Sequence, residues 1–280
     1  MQATEIVLAD LKPEHLDGAA ALSRQAGWPH RREDWAMALS LSSGVVAIEE
    51  GRVVGTAMTT PYGQVAATIN MVIVDEALRG RGVGKRLMTL ALKASEGRET
   101  RLVATEDGLP LYEKLGFRAT GTILQHQGVP VPTPPQADSR IGWAEQANVG
   151  DLSAMDRQAC GMDRATLIGW LARHARIALL RQEGEIQGFA ALRAFGKGEV
   201  IGPVVARDDE QATALLAFVF GERQGAFLRV DTPEHAGISP WLARHGLAQA
   251  GSGVAMTKDG AVASAAPGFR TFALASQALG

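Results

Sequence analysis

Hydrophobic and polar positions fall along the chain in blocks whose period changes repeatedly, and the blocks predict a mixed α/β protein. Glu5–Ala9 suits a first strand. Leu16, Ala19, Ala20 and Leu22 recur at helical spacing behind Pro13 and stop near Gly27, so a helix is expected there, with a second short one over Arg32–Leu41. Val45–Glu49 and Val53–Thr60 flank the turn Glu50-Gly51 and predict a β-hairpin. Gln64–Ile69 leads into Met71-Val72-Ile73-Val74, a short β-branched run that reads as a buried strand. From Val83 the period becomes helical: Val83, Leu87, Leu90, Ala91 and Ala94 share one face, while Lys85, Arg86, Lys93 and Glu96 turn outward. Strand Arg101–Thr105, helix Leu109–Leu115 closed by Gly116, and strand Phe117–Gln125 follow.

Val129–Gln136 then carries Pro130, Pro132, Pro134 and Pro135, which sustain neither helix nor central strand and predict a stiff linker. Beyond it the pattern starts again. Helices are expected over Val149–Ala159 and Arg164–His174, then a hairpin from Ile177–Arg181 and Ile186–Arg193 around Glu183-Gly184. Val200–Ala206 followed by Glu210–Phe220 repeats the strand–loop–helix, and Pro240–Leu247 repeats Pro110–Phe117. An offset of 133 residues separates Gly55 from Gly188, and 130 separates Gly116 from Gly246. The reading is a tandem duplication: a first domain at 1–128, a linker at 129–140 and a second domain at 141–280. The tail Arg270–Gly280 could supply a final strand.

Composition narrows this picture without redirecting it. The 280 residues are 46% hydrophobic and 21% charged, with net charge −2, which gives no bias toward nucleic acid or an anionic membrane. Cys160 is the single cysteine, so an internal disulfide and a cysteine-rich metal site are both excluded, and it reads as a small half-buried residue. The first residues lack the basic start and apolar run of a signal peptide, and Ala212–Phe220 is too short to span a bilayer; a cytoplasmic protein is expected.

The chemistry concentrates in Asn70–Glu96, where a strand feeds Gly80, Gly82 and Gly84 and then a helix. A helix start has free N–H groups and the positive end of the dipole, so it suits an anion. Spacing removes two phosphate-binding readings. A P-loop would need glycine at Arg79 and a hydroxyl at Arg86, and the dinucleotide fingerprint would need glycine at Lys85 or Leu87. What remains is Arg79-Gly80-Arg81-Gly82-Val83-Gly84, which resembles the pyrophosphate loop of the GNAT superfamily of acyl-CoA-dependent N-acyltransferases. Pro110-Leu111-Tyr112-Glu113-Lys114-Leu115-Gly116-Phe117 is similar to a second motif of that superfamily, and the element order matches its fold.

The resemblance implies two tandem GNAT folds, each a mixed central sheet flanked by helices, and acetyl-CoA as acyl donor without a metal. Gly80, Gly82, Val83, Gly84 and Lys85 would hold the pyrophosphate. Arg79 and Arg81 would add charge or simply be solvated. Val72, Ile73 and Val74 would pair with the pantetheine arm, and Thr105 stands where many relatives place a cofactor-contacting Asn. Tyr112 matches the general acid that protonates the leaving thiolate, although a packing aromatic is the plain alternative. No base is singled out: Asp75, Glu106 and Asp107 lie near the sheet's open end, and His30, with Trp28, Arg31 and Arg32, lies where acceptor residues usually fall.

In the second half, Arg207-Asp208-Asp209-Glu210-Gln211-Ala212 replaces the glycine loop, and Leu242 replaces the tyrosine. Carboxylates at a helix start repel a pyrophosphate, so this half resembles the degenerate C-terminal domain of a tandem-GNAT subfamily. The expected function is acetyl or short-acyl transfer to a small-molecule or protein amine. The competing classes are an acyl-CoA sensor without turnover and a second half that serves as a homodimer surface.

Overall fold

The computed structural model describes residues 5–132, 138–259 and 268–280. The expected stiff arm across Pro134 and Pro135 lies outside the described residues. The first half runs β1 (Ile6–Asp10), α1 (Leu16–Gln25), α2 (Arg32–Ser40), β2 (Ser43–Glu49), β3 (Arg52–Tyr62), β4 (Ala66–Val74), α3 (Val83–Ala94), β5 (Glu99–Ala104), α4 (Leu109–Lys114) and β6 (Arg118–Gly128). The second runs β7 (Ile141–Trp143), α5 (Val149–Cys160), α6 (Ala165–His174), β8 (Arg176–Gln182), β9 (Glu185–Phe195), β10 (Gly198–Ala206), α7 (Asp209–Glu222), β11 (Leu228–Pro233), α8 (Ser239–Arg244), β12 (Ala248–Lys258) and β13 (Arg270–Ala273). The two runs expected before and after Asn70 form one strand, bulged at Met71, whose φ is +51° and whose carbonyl accepts from Thr56 Oγ1 at 2.7 Å.

The halves share one sheet and exchange strands within it. β12 of the second half lies between β5 and β6 of the first, with Val254 opposite Ala104 and, on its other edge, opposite Thr122. β6 in turn pairs antiparallel with β11, from Gly128–Leu228 to Ile123–Pro233. The order β5-β12-β6-β11 therefore interleaves the two copies, and residues 129–140 part them along the chain only.

Register partners point to the same face, so both copies put like helices on like sides. Helix α3, with Leu87 and Met88, covers one face of the first half together with Tyr112 of α4, and α7 with Leu215 and Leu216 covers the same face of the second. Helices α1 and α2 cover the other face over Val46, Val53 and Met71, and α5 and α6 continue that layer, with Met37 and Tyr62 joining their cluster. Leu87 and Leu215 occupy equivalent places. A Cβ on the facing glycine, Gly55 or Gly188, would come within 2.9 or 3.2 Å of them.

The tail finds its place here. Parallel pairing of β10 with β11 stops after Val200–Arg229, and β13 enters the fork that opens, pairing antiparallel with β10 at Val204–Ala273 and Ala206–Arg270. Leu274 N–H donates to Asp231 O at 2.8 Å and Thr232 Oγ1 donates to Phe272 O at 2.7 Å, which ties the other prong. The last residues then turn across to the first half, where Tyr62 Oη donates to Leu279 O at 2.6 Å.

Candidate active site at the forked strands

In the first half the same fork stays open. β4 pairs with β5 over Ala66–Glu99, Ala67–Thr100 and Thr68–Arg101. Past Thr68, β4 continues to Val74 with no strand on that edge among the described residues. Val72 and Val74 turn toward the apolar cluster that holds Tyr112, and Ile73 turns to the opposite face.

The glycine loop lies beyond the end of β4. Asp75 receives Ala77 N–H at 3.0 Å and closes a short turn at Glu76–Leu78. Gly80 and Gly82 then adopt left-handed φ of +76° and +79°, which is where glycine is required. Gly82 is the N-cap of α3 and offers no side chain to the helix start, so the N–H groups of Val83, Gly84 and Lys85 face outward without a helical acceptor. Gly84 lies inside the first turn of α3, where a Cβ would make ordinary contacts with Leu111 at 3.4 Å and Val74 at 3.7 Å.

Two arginines flank this nest. Arg79 pairs with Asp107 at 3.2 Å and Arg81 lies 3.9 Å from Glu49, all exposed or near the surface. These are weak, screened pairs that an anion with higher charge would displace.

Tyr112 is 7% exposed and packs edge-on against Phe117, with ring centroids 6.0 Å apart. The ring lies flat against Gly108, where a Cβ would fall 2.7 Å from Cε2. Burial pushes its hydroxyl up to about 12, so it carries its proton throughout the neutral range. Thr105 Oγ1 accepts from Gly108 N–H at 3.3 Å and closes the turn before α4. Its hydroxyl thus supports the Tyr112 platform.

The base candidates separate. Asp75 is 4% exposed and ion-paired to Arg52, and that hydrogen bond holds its carboxyl below the usual range; it is a structural anion. Asp107 lies 3.2 Å from Arg79 in an exposed pair, and the N-cap of α4 is Gly108. Glu106 is exposed. His30 packs on Trp28 and edge-on against Phe195 of the second half, and burial, with Arg229 adding to it, lowers it to about 4. It is neutral at pH 7, and Nδ1 has no partner among the described residues. Beside it, Asp34 takes Gly196 N–H at 3.0 Å across the halves; burial works against its charge, but Arg31 and two backbone N–H groups hold it low.

The second copy closes each of these features. α7 starts two residues earlier relative to its Leu215 than α3 does relative to Leu87, which puts Asp208 where Gly80 stands. Asp208 accepts Gln211 N–H at 2.8 Å and caps the helix from within the chain. The fork is filled by β13, and Leu242 is fully buried at the tyrosine position. Sequence reasoning found the carboxylates but missed β13 as the filling of the fork. The short run Arg270–Ala273 gave little signal of its own.

Known proteins resemble both halves of the chain. Two models, each described as an acetyltransferase (GNAT) domain, match residues 41–119 and 152–266. A Bacillus subtilis protein called uncharacterized N-acetyltransferase YitH is 28% identical over 246 residues, covering 85% of this chain and 86% of its own. The glucosamine 6-phosphate N-acetyltransferase of Trypanosoma brucei brucei is 38% identical over 78 residues, 25% of this chain and 53% of its own. Among solved structures, a Pyrococcus horikoshii protein superposes over 100% of this chain and 98% of its own with TM-score 0.82 at 19% identity. A tandem GNAT protein from the clavulanic acid biosynthesis pathway covers 93% and 100% with TM-score 0.61 at 14% identity. No helix among the described residues is long and apolar enough to cross a membrane.

Proposed function

We propose, for a chain that belongs to the GNAT N-acetyltransferases and carries two of their domains in tandem, that the first half alone holds the donor, acetyl-CoA, and passes its acetyl group to an amine. One observation carries the reading. A single chain contains the same fork and helix start twice: one copy closes both with its own residues, and the other leaves both open.

The closed copy supports a reading of what the open one receives. An extended segment fills the second fork by bonding to both prongs. The open fork between Val72–Val74 and β5 fits another extended chain bearing amide groups, which a pantetheine arm is. A carboxylate caps α7, whereas the bare start of α3 fits an anion brought from outside. The N–H groups of Val83, Gly84 and Lys85 would cradle a pyrophosphate, with Arg79 and Arg81 lending charge.

The transfer requires that an uncharged amine nitrogen form a bond to the thioester carbon while the carbon–sulfur bond breaks. The amine loses one proton and the departing sulfur gains one. Tyr112 is the group we assign to supply the second proton, and burial keeps it protonated. A backbone N–H at the Met71 bulge would polarise the carbonyl. With Asp75 buried against Arg52, a water chain is the route we assign to the amine's proton.

Thiol release from acetyl-CoA, followed across a panel of amines in the wild type and in Tyr112→Phe, tests the reading. Amine-dependent release that falls in the variant is the expected result. Tight donor binding with no release on any amine would identify a sensor instead.

A further inference from the structure

The sheet face opposite α3 and α4 carries a cavity of about 620 Å³ where the two halves meet. Its floor is laid by residues that share one face across the exchanged strands: Val103 of β5, Ala255 and Thr257 of β12, and Gly121 of β6. Their chain neighbours Leu102 and Met256 pack beneath, against the α3 cluster. Ala159 and Met162 from the end of α5, with Leu274 and Gln277 from the tail, form walls. The cavity reaches Thr68 and Arg101, the last pair before β4 and β5 part. It therefore meets the open fork from the side opposite the helix that follows the glycine loop.

Its chemistry is specific in what it provides and in what it lacks. The lining is mostly carbon. Glu99 is the one carboxylate among the described lining residues, and it is bound to Arg101 at 2.5 Å. Arg164 is held by Asp156, also at 2.5 Å. Arg270 lies at the edge over Phe272. Thr257 and Thr271 carry buried hydroxyls with no partner among the described residues. Among the described residues the site offers one unpaired guanidinium at its edge and no unpaired anion.

We propose that this cavity receives the acceptor and that the acceptor is a compact monoamine with an apolar body, neutral or anionic at its far end. This rests on the reading that the donor occupies the fork. A volume of this size suits a small molecule. A polyamine or aminoglycoside would bring several ammonium groups into a lining with no carboxylate to meet them, at a large desolvation cost. A single amine gains from the same surroundings, because an apolar site favours its uncharged form. That form attacks: nitrogen bonds to the acyl carbon, the C–S pair leaves with sulfur, the amine sheds one proton and sulfur takes one.

The test is calorimetric titration of the full chain with 2-phenylethylamine and with spermidine, with and without coenzyme A, alongside acetyl-transfer kinetics on both. 2-Phenylethylamine should bind and turn over, with spermidine at least tenfold poorer in kcat/KM. Ala255→Trp, which fills the cavity, should raise the KM for 2-phenylethylamine at least tenfold and leave coenzyme A affinity unchanged. Ala255→Leu, a smaller insertion that serves if the tryptophan variant does not fold, should raise it severalfold. Spermidine preferred over the monoamine, binding of neither, or an Ala255→Trp KM equal to the wild type would overturn the proposal. Failure of coenzyme A itself to bind would instead overturn the donor reading.

Discussion

Gly82 and Asp208 are both N-caps of the helix that follows a central strand, and they leave the helix start in opposite states. Gly82 contributes only a left-handed turn, while Asp208 places a carboxylate oxygen 2.8 Å from Gln211 N–H. Installing the second treatment in the first half separates stability from binding. In Gly82→Asp the left-handed φ costs about 1 kcal/mol, and a carboxylate at the helix start returns a similar amount. The melting temperature should therefore stay within a few degrees of wild type. Affinity for coenzyme A, measured by calorimetry, should fall at least about tenfold, because the new charge repels the pyrophosphate.

Tyr112→Phe keeps the packing against Phe117 and Gly108 and removes only the hydroxyl. The expected loss is about 10²-fold in kcat, the lower end of the range for general acids, since a thiol is a modest leaving group. The donor's KM should change little. With Tyr112 pushed up to about 12, the wild-type rate should rise with pH as the amine deprotonates. No fall from this tyrosine should appear below about pH 11. Initial-rate profiles of both proteins check the pair of statements.

His30 makes folding pH-dependent. Its folded pKa lies near 4, against an unfolded value of 6.5, so between these values the unfolded chain binds a proton that the folded chain does not. Its share of stability is complete above pH 6.5 and is lost as the pH falls to 4, by about 3 kcal/mol over that window. His30→Phe, which retains the contacts with Trp28 and Phe195, should flatten this segment of the curve. Urea denaturation at pH 7.0 and 4.5 measures it.

Arg164 and Asp156 form an ion pair with both side chains at 0% exposure, and Arg164 also donates to Gly280 O. Arg164→Leu leaves a buried carboxylate unpaired and should cost about 3–5 kcal/mol. Arg164→Leu with Asp156→Leu should recover most of that. Denaturant melts of the single and double variants decide it.

Much of the first half was legible because its signals are local. The helical period from Val83, the glycines at 80, 82 and 84, and the Tyr112 motif each sit within one element and its turn. The hairpins and the repeat followed from period and from Gly55 and Gly188, whose close contacts with Leu87 and Leu215 explain why glycine stands there. The middle of the sheet was not legible. β12 reads AQAGSGVAMTK, small residues of low strand propensity held by neighbours on both edges, so tertiary pairing decides what local preference leaves open. Nor can alternation along β6 say which copy supplies its partners, because either would satisfy the same faces. The roles of Asp75 and Asp107 depended on Arg52 and Arg79, partners fixed only by folding.

The exchange of β6 and β12 bears on how the chain is made. During synthesis the first half emerges with β5 lacking its outer neighbour and β6 lacking both of its own, until more than a hundred further residues have left the ribosome. Its pairings are distant in sequence and must form late. Neither half is then an independent folding unit, because strands of each complete the sheet of the other. Residues 1–140 expressed alone should aggregate through the uncovered edge of β5, and co-expression with 141–280 should restore a soluble pair.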